Sequence, residues 1–162
     1  MNRSLLFLYI LLFASFRPGG NSYKSPLEGK RISETPFGKY LTDTLPGHTL
    51  LLFVSYGCSH CEIAAVETKK LISRIDRILV LGSGTENEKE IFKKNTGLNC
   101  PMYDYDFSFM RGQLLAEDKK FPPPPSILWI KDNTLKKVFL HAPTEAAFDK
   151  MKKKCGDSRA TR

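Results

Sequence analysis

The chain has 162 residues, a net charge of +8 and an apolar share of 41%. That length suits one domain plus a small extra segment, and the apolar share excludes a disordered chain. The charge is scattered, its densest run being Lys150, Lys152, Lys153 and Lys154, which reads as a solvated last helical turn; a nucleic-acid module would show a basic stripe interleaved with aromatics, and none is present.

The N-terminus opens with a short positive segment, Met1-Asn2-Arg3-Ser4, followed by an almost wholly apolar run from Leu5 to Phe16 and a stop at Arg17-Pro18-Gly19-Gly20. A spanning helix needs about 20 apolar residues. The shorter run here reads as a secretory signal peptide, or as an uncleaved N-terminal anchor, over residues 1–22. No cysteine follows it, so a lipoprotein anchor at this point is excluded, and no other segment has the length to span a membrane. Residues 23–45 form an N-terminal extension with turn signals at Thr35-Pro36 and Leu45-Pro46-Gly47, expected to add a short strand and a helical turn. The main domain is assigned to 46–155 and a tail to 156–162.

Thr49 to Ser55 is a continuous apolar run, suited to a central strand covered on both faces. Cys61 to Ile75 has broadly helical apolar spacing at Ile63, Ala64, Val66, Leu71, Ile72 and Ile75. Arg77 to Gly82 is a second buried strand, and Glu86 to Lys94 is a polar helix closed by Asn95-Thr96-Gly97. Pro101 to Asp106 holds a short strand and Phe107 to Leu115 a helical segment. Ser126 to Lys131 and Leu135 to His141 are strands joined by a turn at Asp132-Asn133. Pro143 to Lys154 is a terminal helix with Pro143 near its start and Gly156 past its end. A βαβ unit followed by a ββα unit makes an α/β fold, a mixed central sheet with helices on both faces.

Cys58-Ser59-His60-Cys61 falls where a buried strand hands over to a helix. The thiolate is the nucleophile of disulfide exchange, and orphan N–H groups with the positive dipole end stabilise it at a helix N-terminus. Two intervening residues let the second thiol reach the first, and a protonated His60 would add positive charge. The candidate catalytic residues are therefore Cys58, Cys61 and His60.

The segment Leu50 to Cys61, the helix after it and the strand Pro125-Ser126-Ile127-Leu128-Trp129-Ile130 together resemble the thioredoxin superfamily, most of all its bacterial TlpA/ResA-like exported members. The resemblance covers about Leu45 to Cys155. It implies a thioredoxin-like fold with a helical insertion between the halves, here roughly Glu86 to Lys120. It also implies a protein thiol–disulfide oxidoreductase in which Cys58 attacks, Cys61 resolves and Pro125 is the cis-proline shaping the substrate groove. The redox group would be the Cys58–Cys61 disulfide, with no metal or other cofactor. The partners would be protein thiols or disulfides and a further redox protein, and the location periplasmic or otherwise exported, with inner-membrane anchoring if the leader stays on.

Four positions depart from the family pattern. Gly57, after Tyr56, replaces the usual tryptophan, while Leu52 and Ala64 stand where relatives carry acids, and neither Glu62 nor Glu67 matches those places. Pro124 precedes Pro125 and has no N–H to offer a substrate backbone, so the docking edge keeps only its acceptor and leans on side chains such as Tyr56 and Phe121. The run Pro122 to Pro125 can also be read as a stiff linker into the strand.

Cys100 and Cys155 admit three readings: a structural disulfide, two free thiols, or a relay pair exchanging with Cys58–Cys61. One rival to the redox reading is a metal site built from Cys58, His60 and Cys61 with His141 or Cys100; the other is a non-catalytic thioredoxin-fold interaction module. No second ligand pair at metal-site spacing supports the former, and two intact cysteines oppose the latter. His48, His141 and Trp129 read as structural residues.

Overall fold

The computed structural model describes residues 22–41 and 44–155. The apolar leader and the 156–162 tail, with its helix-stop Gly156, lie outside the described residues.

The described chain forms strands β1 (Ser22–Tyr23), β2 (His48–Ser55), β3 (Arg77–Ser83), β4 (Met102–Asp104), β5 (Ser126–Lys131) and β6 (Thr134–Phe139). The α-helices are α1 (Ser59–Lys69), α2 (Glu86–Thr96), α3 (Phe107–Glu117) and α4 (Glu145–Lys154). The strands make one six-stranded sheet in the order β1-β6-β5-β2-β3-β4. β2, β3 and β4 are parallel, whereas β5 is antiparallel to β2 and to β6, so the sheet is mixed as expected.

β2 is central because nearly every residue in it is buried and both its faces are covered. Side chains alternate across a strand, and this alternation divides the core. Leu51 and Phe53 join Leu79, Leu81, Leu128 and Ile130 on one face, under Met110 and Leu114 of α3. Leu50, Leu52 and Val54 point to the other face, where Ala65 of α1, Phe92 of α2 and Phe148 of α4 cover them. The N-terminal extension belongs to the first of these clusters: Leu27, Ile32, Phe37, Leu41 and Leu45 are all buried in it. Its local structure is two 3-10 turns, Ile32–Glu34 and Pro36–Lys39, and the short strand β1 pairs with β6.

Local chemistry sets the helix ends. Thr85 and Glu88 form a reciprocal capping box at the start of α2, and Gly97 closes that helix with φ 58°, a left-handed conformation glycine adopts without a Cβ penalty. The β5–β6 hairpin turns through Asp132 (φ 47°) and Asn133 (φ 62°). Two boundaries differ from expectation. The helix after the cysteines ends at Lys69, and residues 72–74 form a separate 3-10 turn, because the chain must reverse there to enter β3. The terminal helix begins at Glu145 with Thr144 as its cap (Thr144 Oγ1 accepts from Ala147 N–H at 3.3 Å), so Pro143 precedes the helix.

Candidate active site

After β2 ends at Ser55, Tyr56 and Gly57 turn the chain and Cys58 becomes the N-cap of α1. The Cys58 backbone is extended (φ −106°, ψ 115°), and its carbonyl accepts from the N–H groups of Cys61 (3.0 Å) and Glu62 (3.1 Å). Donors in a first helical turn have no carbonyl one turn earlier, so the helix end presents partial positive charge at Cys58. His60 is exposed in this same turn.

The two thiols are unequal. Cys58 is half-buried, whereas Cys61 is 0% exposed. The Ser55 N–H donates to Cys61 Sγ at 3.4 Å. Burial pushes the Cys61 thiol far above the ordinary thiol range; the Ser55 N–H pulls it back in part, and the neighbouring Cys58 and Glu62 push it up again. The pair thus combines one reachable sulfur at a helix N-terminus with one shielded, protonated sulfur a single turn on.

The Pro124–Pro125 peptide bond is cis. β5 begins at the next residue, and its register sets Ser126 opposite Phe53. The cis-proline turn and the Cys58 corner therefore occupy the same end of the sheet.

Several residues expected at the site lie elsewhere. Tyr56 is not at a substrate edge: it is 1% exposed, packs against Phe92 (ring centroids 5.6 Å apart) and donates its hydroxyl to Asp104 Oδ1 at 3.1 Å. Burial holds that hydroxyl well above the ordinary tyrosine range, with the Asp104 charge adding to the effect. Phe121 is likewise buried, against Phe37 and Phe53. Ile63 and Val66, whose spacing is helical, lie on the outer side of α1 and are 61% and 40% exposed. The buried face of α1 is Cys61, Ala64, Ala65 and Thr68, small side chains that let the helix lie close on the sheet. That run of small residues was the available signal for the true inner face.

Cys100 and Cys155 do not form a disulfide; all four cysteines are free thiols. Cys100 is half-buried just before β4 and packs at the edge of the α1/α2/α4 core, whereas Cys155 is exposed at the end of α4. Because β4 runs parallel to β2, its leading end lies at the sheet edge opposite the Cys58 corner, which removes Cys100 from a direct relay.

The two nearby acids on α1 both have partners. Glu62 accepts from Asn95 Nδ2 at 3.0 Å, and Glu67 is exposed and paired with Lys70 at 2.7 Å. Gly57 has a structural reason: a Cβ there would sit 2.6 Å from Glu88 Oε1, whose carboxylate is held in the α2 capping box. Among the described residues, no three His, Cys, Asp or Glu side chains gather into a metal-holding group. His48 is buried and accepts from Trp129 Nε1 at 3.0 Å, a packing role, and His141 is exposed.

No protein-family model and no curated protein matches the sequence. Solved structures do. The thioredoxin domain of a thiol-disulfide oxidoreductase from Bacteroides vulgatus is similar with a TM-score of 0.55 at 13% identity, over 70% of this chain and 82% of that one. A thioredoxin-related protein from Neisseria meningitidis serogroup B matches with a TM-score of 0.53 at 12% identity, over 72% of this chain and 90% of its own. A DsbF homologue from Corynebacterium diphtheriae matches with a TM-score of 0.51 at 17% identity, over 72% and 76% respectively. What these chains share with this one is the path of the backbone, and this protein therefore has a thioredoxin-like fold.

Proposed function

We propose that the protein is a thiol–disulfide oxidoreductase acting on protein substrates in an extracytoplasmic compartment, in the manner of the TlpA/ResA-like exported thioredoxins. One observation carries this reading: a half-buried Cys58 at the N-cap of α1 beside a fully buried Cys61 in the same turn. Written as a reduction, the Cys58 thiolate attacks a substrate disulfide, forming a mixed disulfide and releasing one substrate thiolate. Cys61 then gives up its proton and attacks the Cys58 sulfur. The second substrate thiolate leaves and takes up a proton, so the substrate gains two thiols and the protein holds a Cys58–Cys61 disulfide. Substrate oxidation is the reverse sequence. His60, exposed at the same helix end, supports the thiolate when protonated. An extended substrate would lie along the half-buried Pro124 and Pro125, at the Cys58 end of the sheet, where Pro124 offers it only a carbonyl.

The test is direct. Cys61→Ser should accumulate a mixed disulfide with a disulfide-bonded peptide, and Cys58→Ser should not; no adduct on Cys61→Ser overturns the reading. The reduction potential of the wild-type pair then gives the direction, near about −270 mV for a reductase and near about −120 mV for an oxidase. Cell fractionation of the full-length chain tests the compartment.

A further inference from the structure

The buried thiol Cys61 must lose a proton in the second step, yet the positions where relatives carry an acid hold Leu52 and Ala64. A different group reaches it through the backbone. The Val54–Ser55 peptide unit faces two ways: its N–H donates to Cys61 Sγ at 3.4 Å, and its carbonyl accepts from the Tyr105 hydroxyl at 3.1 Å. Tyr105 is 6% exposed and lies just past β4, on the opposite face of β2 from Cys61. Ser83, buried at the end of β3, is a polar neighbour of that hydroxyl. A phenol has one proton to give, and Tyr105 gives it to the Val54 carbonyl. The result is a continuous chain from Tyr105 through the Val54–Ser55 peptide to the Cys61 sulfur.

We infer that Tyr105 is a positioning residue for the resolving thiol, polarising the Val54–Ser55 peptide so that its N–H holds the Cys61 sulfur as that sulfur becomes a thiolate. Hydrogen bonds in a chain strengthen one another, most of all where the last acceptor carries charge. Tyr105 takes no proton itself. The Cys61 proton goes to the leaving substrate thiolate or to solvent, and the peptide supplies the stabilisation an acid provides by another route. The titratable groups facing Cys61 are Cys58 and Glu62 on α1 and Tyr105 across β2, with Tyr40 facing Tyr105 in turn (ring centroids 6.4 Å). In the resolving step Cys58 is held in the mixed disulfide and carries no charge, and Glu62 disfavours the thiolate, which leaves the peptide N–H as the favourable contact.

The inference rests on the oxidoreductase reading, and the experiment separates the two. Reduced protein in a Cys100→Ala/Cys155→Ala background, treated with an aromatic disulfide such as dithiobis(nitrobenzoate), should release one coloured thiolate when Cys58 attacks and a second when Cys61 resolves the adduct. The second phase, followed across pH, reports Cys61. In Tyr105→Phe the second phase should slow by about two- to four-fold below its inflection, which should move up by roughly 0.3 to 0.6 pH units, with the first phase unchanged. Ser83→Ala, which keeps the tyrosine, should move the inflection the same way by less. Second-phase profiles of both variants that superimpose on wild type overturn the role of Tyr105 while leaving the oxidoreductase intact. A wild-type protein with no second phase overturns both.

Discussion

Gly82 tests whether Tyr56 is a fixed wedge under the Cys58 corner. Gly82 lies in β3 opposite Val54, and a Cβ at that position would land on Cε1 and Cζ of the Tyr56 ring. The ring has nowhere to go: Tyr56 is 1% exposed, backed by Phe92 and pinned at its hydroxyl by Asp104. Two effects oppose each other in Gly82→Ala. Restricting the unfolded chain contributes about 0.4–1 kcal/mol of stability, whereas overpacking a filled core costs about 1–3 kcal/mol. Because the new atom is fixed to the backbone and its neighbour is a trapped ring, the clash should win, giving a net loss of about 1–1.5 kcal/mol. At this chain length that lowers Tm by roughly 2–6 °C. Urea unfolding at constant m reads the change as a lower midpoint. In a Tyr56→Leu background the cost should largely vanish, a coupling of about 1–2 kcal/mol. An equal or higher midpoint for Gly82→Ala in the wild-type background would refute the wedge.

Pro124→Ala restores an N–H at the docking edge; one added hydrogen bond of about 0.5–1.5 kcal/mol predicts roughly two- to ten-fold tighter binding of an extended peptide to a Cys58→Ser/Cys61→Ser background, measured by calorimetry, and unchanged affinity removes that edge from substrate binding. Burial pushes the Cys100 thiol up to about 11. Above the ordinary thiol range the unfolded chain then loses a proton that the folded chain keeps, so this contribution to stability is intact at neutral pH and falls between about pH 8.5 and 11; Cys100→Ala should show a shallower alkaline fall in Tm, and parallel curves would contradict the burial. Thr85→Ala breaks the reciprocal cap of α2 and should cost about 1 kcal/mol in urea unfolding, with no loss expected if that helix end is held by packing alone.

The sheet was legible in the sequence because its strands are written in short-range terms. Thr49 to Ser55 is apolar at nearly every position, which only a strand covered on both faces can use, and β2 is that strand. Asp132-Asn133 and Gly97 marked the left-handed positions the backbone adopts there. The C-x-x-C spacing at a strand-to-helix junction, with a proline opening a later strand, was enough to locate the Cys58 corner, since a helix N-terminus and a neighbouring sheet end follow from chain order.

What the sequence left open depended on which face each side chain takes and on what arrives from far along the chain. Tyr56 reads as a surface aromatic next to a reactive cysteine, yet it is buried because Gly82, a whole strand away, leaves room for its ring and Asp104 receives its hydroxyl. Ile63 and Val66 have helical spacing but face outward because Ala64 and Ala65 pack closer to the sheet. Cys100 and Cys155, whose pairing the sequence leaves open, are both free thiols. Tyr105 carries no motif; only the crossing of β2, β3 and the loop after β4 brings its hydroxyl to the peptide that holds Cys61. Local pattern determined the elements and the place of the two thiols, whereas the burial of one and the groups around it are long-range consequences of packing that no short window of sequence contains.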